Sequence, residues 1–97
     1  AIDSEQVRQL IAGGESLTVE FKGEERDVLS DRDVCENVVC LANGDGGVLL
    51  IGVENDGRVT GARPRHGSST NPHRLESLIA NRTVPRIMTR ASLHEID

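Results

Sequence analysis

The sequence predicts a single small α+β domain, residues 1–97, in which helices pack on a mixed β-sheet in the approximate order α-β-α-β-β-α-β. Three observations carry this expectation. Segments of helical apolar spacing, each preceded by a cap residue, alternate with short apolar runs of strand length. Gly13-Gly14, Gly44-Asp45-Gly46-Gly47 and Asn55-Asp56-Gly57 punctuate the chain between them. The 97-residue length leaves no room for a second core, and a chain of this size buries roughly 60–65% of its unfolded surface.

Residues 4–12 read as the first helix, capped by Asp3 or Ser4, with Val7, Leu10 and Ile11 on its apolar face and Gly13-Gly14 as its stop. The stretch ESLTVEFK follows. Leu17, Val19 and Phe21 share the inward parity of a strand over residues 17–22, and Thr18, Glu20 and Lys22 share the outward parity. The charged connection GEERDVLSDRD leads to a cap at Ser30 or Asp31. The second helix is expected over residues 31–43, with Val34, Val38, Leu41 and Ala42 inward. VLLIGV, residues 48–53, is apolar throughout, which predicts a central strand buried on both faces and paired beside residues 17–22. Asn55-Asp56-Gly57 signals a tight turn with positive φ at Gly57, and RVTG, residues 58–61, the returning hairpin strand. Residues 62–70 form a polar loop. Asn71-Pro72 opens a third helix running to about Asn81. Beyond Pro85, the alternation of Ile87, Thr89, Ala91 and Leu93 predicts a last strand.

Composition narrows the function. No apolar run approaches the ~20 residues of a membrane span and no signal peptide is evident, so a cytoplasmic protein without a membrane partner is expected. Cys35 and Cys40, five apart on a helix, point away from each other and are read as buried, reduced thiols. Neither they nor His66, His73 and His94 match a zinc-ligand spacing. No G-x-x-x-x-G-K-[ST] is present, so no ATP site is expected, and GDGG stands between a helix and a strand, the reverse of a phosphate-cradling order. With Phe21 as the sole aromatic residue, stacking of bases on aromatic platforms is excluded. The net charge of −5 conceals an asymmetry: residues 1–57 hold thirteen acids against four bases, and residues 58–97 hold seven arginines against three acids. The two halves either polarise the surface or interleave and neutralise each other.

Two groups of residues can carry chemistry. Arg58, Arg63, Arg65 and Arg74 surround a proline-stiffened loop, and the planar guanidinium suits phosphate oxygens; a solvated arginine loop is the plainer alternative. On the strand, Glu20 and Lys22 leave one face a few ångströms apart, with Glu15 just ahead. Three readings stay open for them: a surface ion pair, a phosphate contact through Lys22, or a catalytic Mg²⁺ or Mn²⁺ site. The metal reading needs further carboxylates, and Glu15 together with Asp56 or Glu54 are the candidates.

The succession ESLTVEFK, then a helix ending CLANGDGG, then VLLIGVENDGRVTG, resembles the Schlafen-type AlbA-like domain over about residues 4–96. The resemblance implies an α+β fold, nucleic-acid binding, and a place as the N-terminal part of a longer bacterial transcriptional regulator, often dimeric. It also implies an endoribonuclease alternative, because animal members cut structured RNA with three acidic residues. Glu15 and Glu20 match the first two of these and Lys22 the neighbouring lysine, whereas Asn55 falls on the third acid between Glu54 and Asp56. The family domain usually continues into one more strand, so a sheet that is either incomplete or completed by a partner is expected. The reading is therefore a module that binds DNA or RNA through its phosphates by way of Lys22, Arg58, Arg63, Arg65 and Arg74, forms a homodimer and requires no cofactor. The alternatives are a Mg²⁺- or Mn²⁺-dependent endoribonuclease using Glu15, Glu20 and Lys22, with Asp56 or Glu54 as a further metal ligand, and an acidic protein-interaction or dimerisation module.

Overall fold

The computed structural model describes residues 2–96. Its elements are α1 (Ser4–Gly13), β1 (Val19–Lys22), α2 (Asp31–Asn43), β2 (Val48–Ile51) and α3 (Pro72–Arg82). The strands pair in parallel, from Val19 opposite Val48 to Lys22 opposite Ile51, with α2 as the crossover that a parallel pair requires.

Each helix starts where its side chains satisfy the orphan amides. The Asp3 carboxylate accepts from the Gln6 amide at 2.8 Å and the Gln6 side chain accepts from the Asp3 amide at 2.9 Å, a reciprocal capping box for α1. Ser30 caps α2 through the Asp33 amide, and Asn71 caps α3 through the amides of His73 and Arg74 with Pro72 next in line. Such caps contribute about 1 kcal/mol each.

A two-stranded ribbon is marginal alone, and here both of its faces are covered. Val19, Phe21, Val48 and Leu50 pack with Val7, Leu10 and Ile11 of α1, joined by Val53 and Ile96. On the opposite face, Leu49 and Ile51 pack with Val34, Cys35 and Val38 of α2, Leu75 and Ile79 of α3, and Ile87. The continuous apolar run of VLLIGV thus has its physical reason: alternate residues of β2 serve two different cores.

The α+β class holds, and the strand order is simpler than expected. Among the described residues the returning hairpin contracts to one bridge, Val53 to Val59, closed around Gly57 at φ 89°. Gly52, at φ 98°, lies so close to Gly61 and Ala62 that a side chain there would strike their backbone, which turns the chain away before a ladder can form. Residues 87–91 keep the predicted alternation of half-buried and exposed positions but form no ladder, and Leu93 is exposed. β1 starts two residues late, because Ser16 and Val19 exchange backbone hydrogen bonds across a tight turn that leaves Leu17 95% exposed. Cys35 is buried as read, but Cys40 is exposed, on the solvent side of α2.

One polar cluster joins the loops that leave the two strands. The Glu24 side chain is fully buried and the Arg65 side chain only 7% exposed, with Arg65 Nη1 donating to Glu24 Oε2 at 3.2 Å. The same carboxylate accepts from the amides of Leu29 (2.6 Å) and Arg63 (2.8 Å). Arg63 donates in turn to the carbonyls of Glu24, Glu25 and Arg26. Removing one partner of such a buried pair strands a charge in a poorly solvated site, so Glu24→Ala is expected to cost about 3–5 kcal/mol. Urea unfolding measures this, and a loss below about 1 kcal/mol, the range of an exposed pair, would show that the cluster is not a structural tie.

Candidate functional site

The loops following β1 and β2 meet at the carboxyl end of the parallel strands, the side on which open α/β sheets ordinarily receive ligands. Most of the residues singled out from the sequence gather around this end.

Glu20 and Lys22 project together, as their parity requires. Lys22 Nζ lies 3.3 Å from Glu20 Oε1, and the side chains are 36% and 32% exposed. Their register partners Leu49 and Ile51 place them on the face carrying α2 and α3, at the side that those helices leave half open. Glu15 takes another direction. Its Oε2 accepts from the Phe21 amide at 3.3 Å, on the edge of β1 turned away from β2. Glu54 accepts from the Thr60 hydroxyl, and its carboxylate lies where any side chain on Gly23 would have to go. Asn55 is exposed in the turn. Asp56 is bound by the Arg58 side chain at 2.8 Å and the Arg58 amide at 3.0 Å, and these bonds hold its carboxyl below the usual carboxylate range.

Each of the proposed metal-binding carboxylates therefore has a partner of its own. Among the described residues no three His, Cys, Asp or Glu side chains converge as a ligand set. As folded here, Glu15, Glu20, Asp56 and Glu54 do not form the convergent site that a divalent cation needs.

The arginines divide into two sets. Arg65 is buried on Glu24, Asp31 and the Leu29 carbonyl, and the Arg63 guanidinium holds three backbone carbonyls. Arg58 is exposed and shared between Asp56 and Glu25, which raises its already high pKa. By contrast Arg26, Arg74, Arg82, Arg86 and Arg90 are exposed and make neither an ion pair nor a side-chain hydrogen bond among the described residues. Sequence reasoning missed Arg82, Arg86 and Arg90, though a signal existed: residues 77–94 contain three arginines and no acid. It also missed Glu24, one of several acids in a charged stretch, whose burial no local pattern announces.

Glu76 sets the position of this arginine segment. From α3 its Oε2 accepts from the Ala91 amide at 2.7 Å, and its other oxygen meets the His73 ring at 3.1 Å. The Ala91 amide and then His73 hold its carboxyl below the ordinary 4.5.

A small domain of three capped helices around a parallel βαβ unit, acidic over residues 1–57 and arginine-rich from residue 58 on, is the class that the fold and site define. The model of the family described as Schlafen, AlbA_2 matches residues 15–97, and the chain belongs to that family. The match takes in β1 through the arginine segment, with α1 ahead of it. This family suggests a nucleic-acid-related domain. No curated protein and no solved structure matches the chain.

Two predictions follow from this geometry. Glu20→Gln is expected to cost less than about 1 kcal/mol, since a half-exposed pair is largely screened; a larger loss of unfolding free energy would assign Glu20 a structural role. Because the pKa of Glu76 is lowered by folding, its contribution is present above pH 4.5 and is lost as pH falls through the depressed value. The Ala91 amide resonance should accordingly shift on acidification below about pH 4.5, and Glu76→Gln should abolish that titration. An Ala91 amide indifferent to this pH range would remove Glu76 as the anchor.

Proposed function

We propose that this domain is the nucleic-acid-binding module of a bacterial transcriptional regulator, acting in the cytoplasm and holding DNA or RNA through its phosphates without a cofactor. The observation that carries this reading is the run 77–94, in which Arg82, Arg86 and Arg90 stand exposed, unpaired among the described residues and free of neighbouring acids in sequence. Guanidinium groups so placed give up no internal bond when they meet a phosphate. Arg74 extends the set from the first turn of α3. Lys22 and Arg58 contribute at the carboxyl end of the sheet, where each exchanges a solvent-exposed carboxylate partner for a phosphate. Arg63 and Arg65 serve the interface indirectly, by fixing the loop that bears Arg58. Family membership supports the nucleic-acid reading, and the lack of aromatic platforms favours recognition of the backbone over stacked bases.

Titration of labelled DNA and structured RNA at several salt concentrations, each with and without Mn²⁺, tests this. Affinity is expected to fall about tenfold or more between 50 and 200 mM salt. Replacing Arg82, Arg86 and Arg90 together by alanine should weaken binding alike for every sequence, and Lys22→Ala should lower the salt slope by about one unit. Salt-independent affinity would overturn the phosphate reading. Mn²⁺-dependent cleavage of RNA, lost in Glu20→Gln with binding retained, would move the assignment to an endoribonuclease.

A further inference from the structure

Building on the phosphate-binding reading of the same arginines, we propose that residues 82–90 form a ridge that enters the minor groove of duplex DNA, with Arg86 and Arg90 reaching its walls and Met88 lodged between them. The ridge is the outer side of a strap fastened along its inner side. Thr83 is buried and donates to the Ile79 carbonyl at 2.8 Å, and its hydroxyl oxygen accepts from the Ile87 amide at 2.8 Å. Ile87 packs against the core of Val34, Cys35 and Ile79, and the Ala91 amide donates to Glu76. Further along, the His94 ring meets the Ser4 hydroxyl of α1 at 3.1 Å, and Ile96 joins the core on α1. The outward side chains of residues 82–90 are thus displayed from a backbone tied down both within the segment and beyond it.

The strap displays two chemistries in alternation. Arg82, Val84, Arg86, Met88 and Arg90 are all exposed, Val84 at 99% and Met88 at 78%, whereas Thr83, Ile87 and Thr89 are buried or half-buried. Arginine alone serves for phosphate contact; apolar side chains set between guanidiniums match a surface that is anionic at its rims and apolar within. A nucleic-acid groove is such a surface, with phosphates along its edges and sugars and base edges inside. From Arg86 to Arg90 the alternation is that of extended chain, whose rise of ~3.3 Å per residue nearly equals the ~3.4 Å between successive base pairs. Arg86 and Arg90 then stand roughly 13 Å apart, about four base pairs, with Met88 midway. The major groove admits a helix or a two-stranded ribbon, whereas a single extended segment suits the minor groove, about 6 Å wide. In A·T-rich DNA that groove is narrow and its negative potential draws arginine; in duplex RNA it is wide and shallow. Methionine is among the side chains that wedge between base steps there, and the guanine amino group obstructs the groove floor. No acid lies within residues 77–94 to oppose the approach. An anionic membrane is the poorer match, because single apolar residues parted by guanidiniums make no continuous face to bury.

Binding to A·T-rich, G·C-rich and inosine·cytosine DNA duplexes of equal length tests the groove, with a matching RNA duplex and anionic phospholipid vesicles alongside. Inosine lacks the guanine amino group, so its pair with cytosine presents the minor groove of A·T and the major groove of G·C. The expected result is that the A·T and inosine·cytosine duplexes bind alike, each more tightly than the G·C and RNA duplexes. Met88→Ser, a change at an exposed side chain, should weaken A·T binding about tenfold with the salt slope and circular dichroism unchanged. Arg86→Ala with Arg90→Ala should instead lower the slope. Inosine·cytosine bound like G·C, a preference for duplex RNA, or full affinity in Met88→Ser would overturn the groove and leave the phosphate reading standing. So would vesicle binding that Met88→Ser abolishes while DNA binding stays intact. Salt-independent affinity, or no binding to any nucleic acid, would overturn the phosphate reading and the groove with it.

Discussion

The buried carboxylate of Glu24 is the constraint around which the carboxyl end of the domain is arranged. It follows β1 directly and takes hydrogen bonds from Leu29, Arg63 and Arg65, so it ties the approach to α2 to the long loop that leads to α3. A charge in that position is costly unless its oxygens are satisfied, and here one oxygen serves the Arg63 amide while the other serves Leu29 and Arg65. Leu29, which donates to this carboxylate, also offers its carbonyl to Arg65, and Ser30 beside it caps α2. The ion pair therefore reaches into the start of a helix as well as into two loops.

This arrangement changes what the arginines can do. The loop around Pro64 looks cationic in the sequence, but Arg65 is spent on the interior and Arg63 on backbone carbonyls. Arg58 is held at the surface by two acids. The acidic and basic halves thus interleave at the carboxyl end of the sheet and neutralise each other there. Cationic surface survives elsewhere, on α3 and the segment after it, where Glu76, bound to the Ala91 amide, is the one acid among residues 72–94. Charge balance along the chain and charge available to a ligand are different quantities, and burial separates them.

The sheet shows the same dependence on packing. Two parallel strands of four residues persist because α1 covers one face and α2 with α3 the other. Glu20 and Lys22 retain a half-open position only because the covering helices sit over β2 more than over β1. The carboxylates that a metal site would need are dispersed by local demands: Glu15 closes a strand edge, Glu54 occupies the space beside a glycine, and Asp56 binds Arg58 within its own turn.

Local physics was sufficient for the elements that depend on near neighbours. The caps, narrowed to Asp3 or Ser4 for α1 and Ser30 or Asp31 for α2, the extent of α2, the start of α3 at Asn71-Pro72, the positive φ of Gly57 and the two-faced burial of β2 all follow from residues a few positions apart. The pairing of Glu20 with Lys22 was legible for the same reason, since strand parity places them side by side. Long-range contacts decided the rest. Leu17 has the parity of a core residue, yet the Ser16–Val19 turn turns it to solvent, and Ile87 to Ala91 alternate like a strand although α3 holds them from one side. Nothing near Glu24 or Arg65 in the chain distinguishes a buried ion from a solvated one. They are forty-one residues apart, and only the folded chain brings together the amides and guanidinium that make burying that carboxylate tolerable.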